Sequence, residues 1–397
     1  MKVLLVLTYY HPHVSGLTIY AKRLATALAR RGHQVTVLTS RYDPALPAEE
    51  VIDGVRVVRA PVQIRISKGV IMLTFPWIAW RLIRRHDVLS VHLPQFEASL
   101  LGLLGRLANR PVTLTYHCDL QLPRGWFNRV VDRVVFVSNY IAGHLAQAAV
   151  AYTQDYAEHS HFLSRFLDKV RVIPPPVIMP EPNTEVVEVF KHAHDLVGRP
   201  VVGMAATRLA AEKGVEVLVN AVPHLLEVFP RLKVLFAGQY ENVVGEEDCY
   251  RRLMPMIERL GLEHWEFLGV LTQEQMPAFF AACDVLVVPS LNSTESFGLV
   301  QVEAMLCGTP SVASNLPGVR QPPLMTGMGE VAPIGDPVAL AEAITRIIRR
   351  PDQYARPRSL IEDTFSLDRT VSGYEELFGD LVPGQVMSGK QIEAREA

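Results

Sequence analysis

Asp284-Val-Leu-Val-Val-Pro-Ser290, running into SLNSTESFGLVQVEAMLCG (Ser290–Gly308) and then Thr309-Pro310-Ser311-Val312-Ala313, is the stretch that decides the fold. The first run is short, apolar and β-branched, which reads as a strand buried on both faces of a parallel sheet. Residues 298–307 then repeat apolar side chains at helical spacing and stop at Gly308, where a glycine can adopt a left-handed C-cap. Thr309-Pro310 restarts the chain in a new strand at 311–313. Strand, helix and strand in that order make a βαβ unit. Glu295 rides in the loop before the helix, and Glu303 lies about one turn inside it. At about 1.5 Å rise per residue their carboxylates can stand up to about 12 Å apart along the axis. That separation is too large for an acid and a base on one bond, and it suits two ends of one extended polar ligand.

The same alternation runs through the chain. Before residue 180, strands are expected at 3–7, 35–39, 55–60, 88–91, 112–116, 133–137 and 170–173, and helices at 17–31, 70–84 and 96–108. Pro174-Pro-Pro-Val-Ile-Met-Pro-Glu-Pro182 breaks every period and reads as a semi-rigid linker. Beyond it strands at 201–205, 233–237, 265–267, 285–289 and 311–313 alternate with helices at 215–228, 250–259, 273–282, 298–307 and 337–349, and a last helix spans 361–378. The fold class is therefore α/β, with two Rossmann-like doubly wound parallel sheets. The expected division is 1–177, 178–360, a C-terminal helix in 361–382 that packs on the first domain, and a polar tail at 383–397. Ligands of such sheets sit beyond the carboxyl ends of the strands, so the strand-to-helix loops facing an interdomain cleft should hold the chemistry.

Composition narrows the function classes. A chain of 397 residues with 49 % hydrophobic and 20 % charged residues has material for two cores. A formal net charge of −2 argues against a general nucleic-acid binder, which needs a basic excess. Cys118, Cys249, Cys283 and Cys307 are scattered and form no C-x-x-C pair, so neither a disulfide framework nor a zinc knuckle is indicated, and a reduced, cytoplasmic setting fits. The apolar start is too short for a signal peptide and reads as the first strand, and no run approaches the roughly 20 residues of a membrane span.

Thr207-Arg-Leu-Ala-Ala-Glu-Lys-Gly214 puts Arg208 and Lys213 between a strand end and a helix start. Two cations beside the positive end of a helix are unfavourable unless an anion lies between them, and phosphate is the obvious anion. The plainer reading pairs them with Glu212 and Glu216 as a solvated charge cluster. Gly16, after Pro12-His-Val-Ser15, lets backbone approach a ligand at the next helix start, although a lone turn glycine is as often structural. Neither G-x-G-x-x-G nor a P-loop is present, which counts against a dinucleotide cofactor. His117 follows a buried-type strand and should point into the cleft, where it could bond a sugar hydroxyl; a core histidine with a local partner is the alternative. A metal site from His11, His13, His117 and Cys118 is too scattered to favour. Gly69–Arg85 combines apolar and aromatic residues with Arg81, Arg84 and Arg85, a composition suited to an anionic membrane surface or to burial as a helix.

Taken together, these residues resemble family 4 retaining glycosyltransferases of the GT-B fold, the glycosyl transferases group 1. The resemblance covers nearly the whole chain: the Gly16 loop with Arg31-Gly-His-Gln-Val-Thr-Val-Leu38, the His117 strand end, Arg208 with Lys213-Gly214, Gly269-Val270, Glu295-Ser-Phe-Gly-Leu, Glu303-Ala-Met and Gly308-Thr-Pro-Ser-Val. It implies that Arg208 and Lys213 hold the diphosphate of a nucleoside diphosphate sugar, UDP- or GDP-linked, with Ser15 and Gly16 approaching from the other domain. It further implies that Glu295 contacts donor-sugar hydroxyls beside Ser296, Phe297, Gly298, Leu299 and Val300, that Glu303 holds the ribose, that backbone near Val270 reads the base, and that His117 lines the sugar. Front-face transfer without a metal or other cofactor, to a glycan or lipid-linked hydroxyl, follows from the same resemblance. The chain departs from the pattern at Ser15-Gly16-Leu17, where Gly-Gly is common, and at Pro174-Pro-Pro-Val177, a stiffer hinge. A sugar-nucleotide epimerase and a non-catalytic sugar-nucleotide sensor on the same architecture are the rival readings.

Overall fold

The computed structural model describes residues 1–66, 69–121, 125–243 and 245–382, so the expected polar tail at 383–397 lies outside the described residues. The chain divides into two compact units that exchange segments. The first takes Met1–Ala151, Ser160–Pro176 and the helix Leu367–Leu381; the second takes Tyr152–His159 and Val177–Ser366. Simple boundaries near 177 and 360 therefore miss two exchanges: a short segment of the N-terminal half serves the second unit, and the expected helix at 361–378 is two helices, Arg358–Phe365 and Leu367–Leu381, one in each unit.

The first unit is built on an eight-stranded sheet in the order 170–172, 148–151, 112–116, 88–93, 2–6, 34–41, 55–61, 49–52. All neighbours pair in parallel except the hairpin of Glu49–Ile52 with Val55–Pro61 at one edge. Val3, Leu4, Leu5 and Val6 are all buried, the continuous apolar run of a strand covered on both faces. From Lys2–Val6 the chain winds to one edge through the helix Gly16–Arg30, then returns and winds to the other through Phe75–Ile83, Ala98–Leu107 and Trp126–Leu145. Right-handed crossovers put helices of opposite winding on opposite faces. Gly16–Arg30 accordingly packs with Leu367–Leu381, while the other three pack side by side.

Two sequence expectations change here. Residues 70–84 are not one helix: Gly69–Ile71 pairs with Ile64–Ile66 as a small hairpin, and the helix starts only at Phe75 with Pro76 in its first turn, where the missing N–H costs nothing. Residues 133–137 are not a strand but the middle of the helix Trp126–Leu145. The β-branched run Val134-Val-Phe-Val137 misleads because its apolar side chains do not mark a buried face.

The second unit is a six-stranded, fully parallel sheet in the order 265–269, 233–239, 201–208, 285–288, 311–314, 329–332. Val202, Phe236, Val285, Val287 and Val312 from the strands meet Leu218, Val222 and Leu225 from the helix Val215–Val228 in its core. Strand order reverses between Val201–Arg208 and Val285–Val288, so the loops leaving those two strands part around a crevice. These loops hold Arg208, Lys213 and Glu295.

Candidate functional site

Gly214 sets the geometry of the first loop. After the 3-10 turn Ala211–Lys213 the chain enters the helix Val215–Val228 through Gly214 at φ 73°, and a Cβ there would lie 1.9 Å from the Pro289 carbonyl oxygen. Only glycine permits that contact, which ties the helix start to the end of strand Val285–Val288. The Leu291 N–H donates to the Glu212 carbonyl at 2.9 Å, fastening the two loops together. Lys213 is thereby set beside Glu295, its Nζ donating to Oε2 at 2.6 Å. Burial alone would lower the ammonium's proton affinity, but the charge and hydrogen bond of Glu295, helped by Glu212, raise it above the ordinary lysine value. The lysine is fully charged at neutral pH.

Glu295 has a second fixed contact. Its Oε1 accepts the Gly298 N–H at 3.0 Å, at the start of the helix Leu299–Leu306. Gly298 itself is left-handed, φ 76°, and its helix has no side-chain N-cap; neither does Val215–Val228. Two partly positive helix ends thus face the same loops. Arg208, at the end of its strand, donates to Glu212 at 2.8 Å and lies 3.9 Å from Glu246. The cations therefore bring internal carboxylates with them, as the plainer sequence reading had it for Glu212, while Glu216 bonds Arg252 instead.

The backbone from Ser296 to Gly298 is locked from beneath. Phe297 is buried, its ring edge-on to Tyr152 and Phe365. Gln301, also buried, donates to the carbonyls of Phe297 and Val319 and accepts from Ser311. A Cβ on Gly318 would stand 2.0 Å from the Ser296 carbonyl oxygen, and Gly318 and Arg320 are held by the Asp155 carboxylate. Sequence reasoning missed Gln301, Gly318 and Asp155. The Pro317-Gly318 dipeptide is a turn signal that could have flagged the second, whereas nothing local ties residue 155 to this loop.

Leu299 and Val300 open the helix half-buried, and Glu303, 9 % exposed, lies one turn from Cys307 on the same side. Burial chiefly raises the Cys307 thiol to about 12, Arg358 opposing and the Glu303 charge adding to it. Arg358 donates to the Leu306 carbonyl at 2.6 Å, a cation at the helix's negative end. Val270 follows strand Trp265–Gly269 and is 74 % exposed.

In the first unit, Ser15 caps the helix Gly16–Arg30 in a reciprocal box with Thr18, and a Cβ on Gly16 would meet nothing within 4 Å. His117 is buried beside a local partner, as the alternative reading of it had it. Its ring is 5 % exposed, 2.8 Å from His92 Nδ1 through Nε2 and edge-on to Tyr20 at 5.0 Å. Burial, then the neighbouring His92, holds it well below the ordinary histidine value, so the pair stays neutral. Among the described residues no three His, Cys, Asp or Glu side chains gather as an ion site.

The two α/β units are those of the GT-B fold class. The structure aligns with Anabaena HepE in complex with UDP at a TM-score of 0.76 and 21 % identity, covering 96 % of this chain and all of that one, and with a sucrose-phosphate synthase from Thermosynechococcus elongatus at 0.75 and 22 %, covering 96 % and 98 %. Residues 15–176 match the glycosyl transferase 4-like domain model and residues 188–362 the glycosyl transferases group 1 model. A 2-deoxystreptamine N-acetyl-D-glucosaminyltransferase of Streptomyces fradiae is 31 % identical over 361 residues, 83 % of this chain and 84 % of its own length. A phosphatidyl-myo-inositol mannosyltransferase of Mycobacterium leprae is 26 % identical over 370 residues, 88 % of each. The chain belongs to the group 1 glycosyl transferases of family 4. It is a hexosyltransferase that draws its sugar from a nucleotide sugar.

Proposed function

We propose that the enzyme moves a hexose from a nucleoside diphosphate sugar, UDP-linked in preference to GDP-linked, to a hydroxyl of a glycan or lipid-linked acceptor with retention of configuration. The observation that supports this most is the pairing of Lys213 with Glu295 at 2.6 Å. An ammonium has three donors and a carboxylate about four acceptor sites, so the pair keeps N–H groups for a phosphate and lone pairs for sugar hydroxyls while remaining paired. A glycosyl phosphate presents an anion next to hydroxyl donors, the complementary arrangement.

In this reading Arg208 and Lys213 neutralise the leaving diphosphate, the role a divalent cation would otherwise fill, and the backbone N–H groups of the two open helix ends donate to its oxygens. The acceptor oxygen bonds to the anomeric carbon on the face the diphosphate leaves, and a departing phosphate oxygen takes the acceptor's proton. Backbone of Ser296, Phe297, Gly298, Leu299 and Val300 lies along the sugar and phosphate, Glu303 takes the ribose and Val270 the base. Ser15, Gly16 and His117 are assigned on family resemblance. The UDP bound by the Anabaena protein favours a uridine donor, and relatives named for phosphatidyl-myo-inositol and 2-deoxystreptamine favour a hydroxyl-rich acceptor. A lipid-linked acceptor would suit contact of Gly69–Arg85 with an anionic membrane. No described helix is long and apolar enough to cross a bilayer.

Release of nucleoside diphosphate by Lys213→Ala and Glu295→Ala tests the reading. Each should fall by on the order of 10²-fold, the scale of a lost preorganised electrostatic contact. Near-normal turnover by both would sink it.

A further inference from the structure

The helix Trp126–Leu145 is apolar on two faces: Val131, Val135 and Leu145 are half-buried on the face it turns to the sheet, and a second apolar stripe is exposed. Its buried residues are Ser138, Asn139, Ala142 and Gly143, while Phe127, Val130, Val134, Val137 and Ile141 are exposed at alternating steps of three and four, the spacing of one continuous helix stripe. The inward contacts are firm. Ser138 donates to the Phe96 carbonyl at 2.6 Å and accepts the Ser99 N–H at 3.0 Å, and a Cβ on Gly143 would strike the Phe166 ring at 2.5 Å. The helix cannot turn its stripe inward without losing these contacts. Trp126 extends the stripe at its start and is 79 % exposed.

Charge selects what covers it. Arg129, Arg133 and His144 are exposed beside the stripe, and the helix's one acid, Asp132, is half-buried. The helices Ala98–Leu107 and Phe75–Ile83, next on the same face of the sheet, hold no acid and expose Leu103, Leu107 and Trp77 with Arg106 and Arg81. A second copy meeting this surface about a two-fold axis would set arginine stripe against arginine stripe with no exposed carboxylate on the helix to pair. Apolar and aromatic side chains with a cationic border match the acyl–headgroup boundary of an anionic bilayer.

We propose that the helix Trp126–Leu145, flanked by its two neighbours, docks the enzyme on an anionic phospholipid surface, its aliphatic stripe at the acyl boundary and Arg129 and Arg133 at lipid phosphates. This surface belongs to the first unit and the donor loops to the second, and it needs no nucleotide sugar to act. Its success or failure is therefore independent of the transfer reading.

Sedimentation of the full chain with phosphatidylglycerol–phosphatidylcholine vesicles, and with phosphatidylcholine vesicles alone, tests the proposal. The wild type should bind the anionic vesicles only, less as salt rises. The double variant Val134→Glu/Val137→Glu changes exposed positions, so it should keep the wild-type melting temperature and lose binding by about tenfold or more. Equal binding to both vesicle types, no binding, or an unaffected double variant overturns the proposal. So does binding lost only when Arg81, Arg84 and Arg85 are reversed, or a wild-type dimer that the double variant dissociates with vesicle binding unchanged.

Discussion

Glu97 shows how far a single side chain can be read. It follows strand Val88–Leu93, 9 % exposed, and burial raises its carboxyl from 4.5 to about 7. A folded-state value above the unfolded one means the fold holds the proton more tightly, so this group's contribution is complete below about 4.5 and disappears as pH rises through about 7. Glu97→Gln should therefore leave stability unchanged at pH 4 and raise it at pH 8, by at most on the order of 3 kcal/mol. Urea unfolding at the two pH values checks the sign, and an equal effect at both would remove burial as the cause. Position 97 carries no signal of this kind in the sequence, because its burial comes from tertiary packing. Arg208, Lys213, Glu295 and Glu303 were legible as polar groups at strand ends and helix starts. That Lys213 and Glu295 touch was not, since it depends on Gly214 fitting against Pro289.

Among elements, the strand-to-helix loops of the second unit were the most readable and the helix Trp126–Leu145 the least. Periodicity reports which residues are apolar, and it identifies an element only when those residues face the core. The strands Val201–Arg208 and Val285–Val288 obey that rule; the helix Trp126–Leu145 carries valines on both its inner and its outer face, and they read as a strand. The loop at Gly214 offers a test at this scale. Gly214→Ala forces a Cβ into the Pro289 carbonyl at a positive φ and should destabilise the chain by at least about 1–3 kcal/mol. Gly16→Ala meets open space and should stay within about 0.5 kcal/mol of wild type. Denaturant midpoints compare the two directly; equal losses would mean that the start of the helix Val215–Val228 is not set by glycine.

For the whole molecule, the telling feature is that the last helix among the described residues belongs to the first unit. Tyr374 of Leu367–Leu381 bonds Tyr20 at 2.7 Å and Thr115 at 2.8 Å, and Arg31 and His33 both bond Glu375. A chain ended at Ser366 should expose those buried groups and lose the first unit's cooperative unfolding, while the second unit keeps its own. Hydrogen exchange of the shortened chain measures this, and protection of Val3–Val6 at wild-type levels would refute it. A protein emerging from a ribosome is made from one end, and domains generally fold as they appear. Here the later-made unit is complete once Ser366 is out, whereas the sheet begun by the first residues must wait for Leu381. Of the two units, the one begun earlier is the one finished later.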